Sequence, residues 1–354
     1  MVYRLGRDTV AIERYSRSAT RFAGEMVTRS GAVVSRTAYD LTMANGRVTA
    51  AVLRRMQADG SPIANTPTEY RFTFRADSAT RTMVWPDSSP SRSFAAVNAL
   101  PAFPVYVYAP LAVLNEAART GGRRDSVPAI PLAGNNVGFL ALDAADGGLV
   151  RLRGAFYAML LRFGGDGRLE LMDGSFTTNK AIGTPGTGSA DIAAIARAMR
   201  PTGVLSPRLT AYAAFAQGPI TINYGSPAVR GRTVWGGTLV PFDTIWRTGA
   251  NEAAHLATSK TIQLGDMTLA PGLYTLWIQH TQAGTSLIVN RQVGQWGTGY
   301  NAANDAGRVA MQLAPAPDHV EDFTITVRSL GQGRGAFDFA WGDRVATAAF
   351  TVRP

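Results

Sequence analysis

Apolar and polar residues alternate along one short stretch of this chain after another, and a period of two leaves little room for anything but β-structure. Tyr70, Phe72 and Phe74 alternate with Glu69, Arg71 and Thr73, which predicts one apolar and one wetted strand face. Asn45-Gly46 stands between Val33–Met43 and Arg47–Met56. A type I′ hairpin needs positive φ at both central residues, and Asn-Gly reaches it at little cost. Thr9–Ser16, Thr20–Thr28, Thr68–Phe74 and Thr80–Trp85 have the same character, so the first part of the chain is expected to be an antiparallel meander.

Between Leu100 and Thr120 this rhythm stops. Pro101, Pro104 and Pro110 punctuate the segment, Leu111–Leu114 with Glu116–Arg119 predicts a short helix, and Gly121-Gly122 ends it. Strands are expected again at Val127–Leu132, Val137–Asp143, Leu149–Leu161 and Arg168–Met172. A meander with one inserted helix suggests a half-barrel or open barrel. Thr177–Gly188 is rich in Thr, Gly and Pro and is expected to be a linker. Ser189 would then cap a docking helix running to about Arg200, with Ile192, Ile195 and Met199 on one stripe. After Ser206, nine short strands joined by turns are expected, from Ile220–Tyr224 to Arg344–Val352, with a brief helical turn near Val240–Ile245. The fold class is therefore mainly β. Residues 1–176 form a meander or half-barrel with an inserted helix, 177–205 a linker and docking helix, and 206–354 an immunoglobulin-like β-sandwich.

At 354 residues, two cores are the natural expectation. No apolar run is long enough for a transmembrane helix. The chain has no cysteine, which excludes disulfides, thiolate nucleophiles and Cys-ligated metals. Net charge is +10, and only Lys180 and Lys260 are lysines among 35 basic residues. The arginines are dispersed, with no run denser than Arg54-Arg55 or Arg123-Arg124, so an anionic ligand is a better fit than nucleic acid.

Ile220–Arg232 (Ile-Thr-Ile-Asn-Tyr-Gly-Ser-Pro-Ala-Val-Arg-Gly-Arg), Trp246–Ala253 (Trp-Arg-Thr-Gly-Ala-Asn-Glu-Ala), Pro271–Leu276 and Asn290…Gln295-Trp296-Gly297 carry a resemblance. Together they are similar to a bacterial family described only as domain of unknown function 2911. Phe242-Asp243 and Ala254 depart from its usual Tyr-Gly and Thr. The resemblance implies a β-sandwich from about Ser206 and no activity. Relatives of the domain usually carry export signals, so the expected compartment is periplasmic or extracellular, on a mature chain whose leader is absent; a cytoplasmic location stays open.

Arg247, Asn251, Glu252 and His255 form the densest group of functional side chains. Arg247 suits a carboxylate or phosphate, since guanidinium forks onto paired oxygens. Glu252 and His255 are the candidate catalytic pair, because a carboxylate can fix an imidazole that titrates near neutrality. Tyr224, Arg230, Arg232, Trp235 and Trp296 complete the candidate ligand-binding set, the two tryptophans lying beside glycines in expected loops. The bland alternative is that Arg247 and Glu252 pair with each other, or with Arg230 and Arg232, to pin a loop. The three histidines, His255, His280 and His319, lack metal-ligand spacing, with the latter two expected at turns, so neither a metal nor a cofactor is implied. No Gly-x-Ser-x-Gly elbow exists, and Glu252 with Asp243 or Glu321 with Asp322 are only formal carboxylate pairs.

Three functions fit these residues. The first is an exported binding or accessory protein with a polar loop-end site for an anionic or glycan ligand. The second is a hydrolase using His255 and Glu252, and the third a structural subunit assembling through sheet edges. Whether the chain is an enzyme, and its oligomeric state, are not legible in the sequence.

Overall fold

The computed structural model describes residues 1–104, 106–121, 126–154, 158–175, 177, 180–216 and 218–353. Two compact units divide the chain, Met1–Gly203 and Val204–Pro354.

In the first unit the strands are β1 (Val2–Leu5), β2 (Asp8–Arg17), β3 (Arg21–Ser30), β4 (Val33–Ala44), β5 (Arg47–Gln57), β6 (Glu69–Phe74), β7 (Ser78–Val84), β8 (Ser91–Ala95) and β9 (Leu100–Pro101). Helix α1 (Ala109–Gly121) follows. Then come β10 (Val127–Ile130), β11 (Gly138–Ala144), β12 (Val150–Gly154), β13 (Ala158–Phe163), β14 (Leu169–Asp173), β15 (Ile182–Thr184) and helix α2 (Ile192–Ala198). All fifteen strands form one sheet in the order β8-β7-β6-β5-β4-β3-β2-β1-β15-β14-β13-β12-β11-β10-β9, which begins and ends on unjoined strands and is open.

Local chemistry explains much of this. Asn45 and Gly46 take φ values of 50° and 71° and join β4 to β5 with Ala44 opposite Arg47. Tyr70, Phe72 and Phe74 are buried while Arg71 and Thr73 are exposed. Glu69 departs from the expected alternation: it is buried and ion-paired with Arg54 and Arg71. Helix α1 buries Leu111 through Leu114, and Pro110 falls in its first turn, where a missing N–H costs nothing. The Gly122 expected to end it, the Arg123-Arg124 pair and residues 155–157 of the expected Leu149–Leu161 strand lie outside the described residues.

The segment expected as a linker contains β15, which pairs with both β1 and β14. Asp191, not Ser189, caps α2: its carboxylate accepts the Ala194 N–H at 3.0 Å. The α2 stripe of Ile192, Ile195 and Met199 packs on Val27, Ile12 and Val34 within the first unit.

The second unit contains β16 (Arg208–Phe215), β17 (Gly218–Gly225), β18 (Ile245–Trp246), β19 (Ala254–Thr258), β20 (Ile262–Leu264), β21 (Met267–Leu269), β22 (Gly272–Thr281), β23 (Gly284–Asn290), β24 (Asp305–Gly331) and β25 (Arg334–Val352). Their order is β16-β17-β19-β22-β23-β24-β25-β20-β21, with β18 also on β22. Two pairs of expected strands are each a single long one. Arg308–Leu313 and Val320–Leu330 lie in β24, Gly335–Trp341 and Arg344–Val352 in β25, with register shifts near Pro315–Thr324. The expected helical turn near Val240–Ile245 is replaced by a turn leading into β18. One apolar core joins Ile222, Leu256, Leu276 and Leu287 to Phe337, Phe339, Ala346 and Phe350. A smaller cluster, Ala253, Trp277 and Ile288, packs against Ile245 and Tyr300. Among the described residues no helix is long and apolar enough to cross a membrane.

Candidate functional site

Strands β18 and β19 pair with the same partner. Trp246 lies opposite Ile278 and Ala254 opposite Leu276, so residues 247–253 loop out of the sheet opposite Trp277 alone. The loop closes at its base, where the Ala254 N–H donates to the Arg247 carbonyl at 3.4 Å. Its turns need unusual backbone: Thr248, Gly249 and Asn251 have φ of 52°, 142° and 63°. A Cβ at Gly249 would also lie 2.7 Å from the Gly225 carbonyl oxygen, and one at Gly225 would collide with Ala250. The end of β17 therefore presses directly on the loop's backbone. From the other side, Gly297 N–H donates to the Asn251 carbonyl at 2.8 Å and Ala253 N–H to the Gln295 carbonyl at 3.3 Å. Three separate sequence motifs thus meet at one place, and glycine makes the approach possible.

Trp246 anchors the loop's start in the core, stacked on Trp341 at 5.4 Å and edge-on to Phe323 at 5.0 Å. Arg247 follows it and is only 8% exposed. The aliphatic stem of Arg247 runs across Gly297, where a side chain would collide with its Cδ. Its Nε is fully buried without a partner, and the guanidinium makes no ion pair or hydrogen bond among the described residues. Burial lowers its pKa, with no neighbouring charge acting against it. Thr248 Oγ1 and Gln295 Oε1, on the same loop and on the segment covering it, are likewise buried and unpaired. Unpaired polar atoms at this density are rare in protein interiors.

Glu252 is exposed and pairs with Arg208 Nη1 at 3.3 Å, not with Arg247. Arg208 Nε also donates to Asn223 Oδ1 at 2.9 Å. Arg208 starts β16, far from the motif in sequence, and no local signal marks it. His255 lies beside this group, opposite Asn223 in the ladder. Its Nε2 accepts the Gly294 N–H at 3.0 Å, and a further hydrogen bond engages the Ala253 backbone. Burial, then Arg208, lowers its pKa, outweighing the Ala253 bond and Glu252. No hydrogen bond joins Glu252 to His255 among the described residues.

The other candidates are placed differently. Tyr224 is 3% exposed, edge-on to Phe323 at 5.6 Å, with burial raising its pKa. Trp235 donates from Nε1 to the Trp341 carbonyl at 3.0 Å and packs between Trp246 and His280. Arg230 takes φ 52° and its N–H donates to Glu321 at 3.0 Å, while Arg232 donates to the carbonyls of Val229 (2.9 Å) and Ala228 (2.7 Å). Those two arginines organise a turn beside β24. Trp296 stands at the loop, its backbone bridged to Glu252 and its side chain exposed. His280 is not at a turn: it is buried within β22, bonded to Thr285 at 2.9 Å and stacked on Phe242. His319 lies in β24, exposed between Asp343 (2.8 Å) and Glu321 (3.3 Å), which raise its pKa in that order. Among the described residues no His, Asp or Glu cluster suits a metal ion.

The first unit holds a polar cluster that sequence reading passed over. Glu13 is 3% exposed and accepts Tyr3 Oη and Tyr39 Oη, each at 2.6 Å. Burial raises its pKa in spite of both bonds.

The second unit is thus an all-β domain with a buried arginine, unpaired among the described residues, in a loop that interrupts a strand. Residues 206–350 match the family described as "Protein of unknown function (DUF2911)". No family matches the N-terminal half. No curated protein and no solved structure matches the chain.

Proposed function

We propose that the second unit is a binding module for an anionic ligand, gripped by Arg247 in the loop of residues 247–253. The supporting observation is that Arg247 is 8% exposed, with its Nε buried and unpartnered and no carboxylate paired with it among the described residues. Uncompensated buried charge costs several kcal/mol, so a site of this kind is completed by an anion. Simple carboxylates and inorganic phosphate titrated by calorimetry test this. Arg247→Gln is expected to weaken binding roughly 10- to 150-fold, the worth of a charge-assisted hydrogen bond. Equal affinity in wild type and variant would remove Arg247 from the site.

The hydrolase alternative has less support. His255 already accepts a backbone N–H through Nε2, which leaves that nitrogen no lone pair for a substrate proton. His255→Ala is expected to leave ligand affinity within about 3-fold of wild type, less than the worth of one neutral hydrogen bond. Sheet-edge assembly draws on the exposed Leu209 and Tyr212 of the terminal strand β16. Light scattering at rising concentration separates it from a monomeric binding module. An extracytoplasmic location, resting on the family resemblance, is tested by cell fractionation.

A further inference from the structure

Arg247 does not stand alone at the loop. Of the five tryptophans in the second unit, Trp246, Trp277 and Trp341 are buried and Trp235 is engaged at the end of the core. Trp296 is 47% exposed. It sits between Gln295, whose carbonyl holds the loop, and Gly297, which the Arg247 stem crosses. A large flat ring held in water on the segment that covers a buried arginine is an element that sites use to grip a ligand's apolar face and fix its orientation. Asn251 and Glu252, both exposed on the same loop, add an amide and a carboxylate, the donor and acceptors that hydroxyl groups need.

Charge counting narrows the ligand further. Arg208 and Glu252 cancel one another, and His255 is held neutral by the backbone N–H at its Nε2. At the loop one positive charge, that of Arg247, has no ion-pair partner among the described residues. A carboxylate balances it, whereas a phosphate dianion leaves an excess.

We propose that the ligand is an acidic saccharide, its carboxylate on Arg247, its ring against Trp296 and its hydroxyls on Asn251 and Glu252. This rests on the Arg247 loop being an anion site. Nothing is transferred or cleaved; the contact is non-covalent.

The test is calorimetric titration of the full chain with glucuronate, glucose, acetate, benzoate and inorganic phosphate. Glucuronate is expected to bind at least about 10-fold more tightly than any of the other four. Trp296→Ala, at an exposed position, should lose that advantage and keep residual acetate-like binding. Arg247→Gln, checked for folding by circular dichroism, should weaken the response to every acid by the same roughly 10- to 150-fold. Acetate, phosphate or benzoate binding as well as glucuronate would overturn the saccharide and leave the anion site standing. Glucose matching glucuronate with Arg247→Gln silent, or no response to any of the five, would overturn both.

Discussion

Replacing Arg247 with methionine should make the unliganded protein more stable, an unusual outcome for a nearly buried residue. Most core substitutions destabilise. Here Arg247 is nearly buried, its Nε is unpaired, it has no counter-charge among the described residues, and its aliphatic stem covers Gly297. Methionine keeps an unbranched stem over that glycine and removes the charge. Even replacing a buried ion pair by apolar groups of similar volume gains up to roughly 1–4 kcal/mol, and a charge with no partner loses no attraction when removed. The small exposure that Arg247 retains preserves some hydration, so about 2 kcal/mol is the reasonable figure. For a unit of this size each kcal/mol shifts the midpoint by roughly 2–4 °C, giving a rise of about 4–8 °C. Tryptophan fluorescence is a suitable assay, because Trp85 alone of the six lies in the first unit. A ligand at about 100 times its Kd adds roughly 2.7 kcal/mol to the wild type and nothing to a variant that cannot bind it. The variant's advantage should therefore shrink with ligand. A variant less stable than wild type by about 1 kcal/mol or more without ligand would refute the reasoning, since a loss of that size is what removing an internally paired charge produces.

Two further outcomes follow from the same structure. The folded-state pKa of Glu13 is raised by burial, so the folded protein holds that proton to higher pH than the unfolded chain. Its contribution is fully present below the unfolded value, about 4.3, and is lost as pH rises through the folded one. Glu13→Gln should flatten this decline in melts of the first-unit transition; parallel wild-type and variant curves would count against it. Gly249→Ala should cost roughly 1–3 kcal/mol, because φ of 142° is strained for any side chain and the Gly225 carbonyl is in the way. An unchanged urea midpoint would show that the loop relaxes freely.

Side-chain alternation and turn chemistry are local properties, and they were legible. Asn45-Gly46 adopts the positive φ pair its residues favour, and Tyr70, Phe72 and Phe74 face inward because a pleated strand sends alternate side chains to one side. The family motifs after Ser206 were also readable as words. Their meaning was not. Arg247 and Glu252 are close in sequence, yet Glu252 finds Arg208 and Arg247 finds no carboxylate, because the ladder brings β16 and β17 alongside β19. Tyr224 and Trp235, expected as ligand contacts, pack against the core. Glu13 sits on a strand where alternation alone cannot say which face is covered, and Tyr3 and Tyr39 arrive from neighbouring strands. The sequence by itself determined the β class, the hairpins and the place of the distinctive loop, since each depends on residues within a few positions. Only the tertiary structure decided which polar groups were paired and that Arg247 meets no counter-charge among the described residues, since pairing depends on neighbours that the sheet, not the chain, supplies.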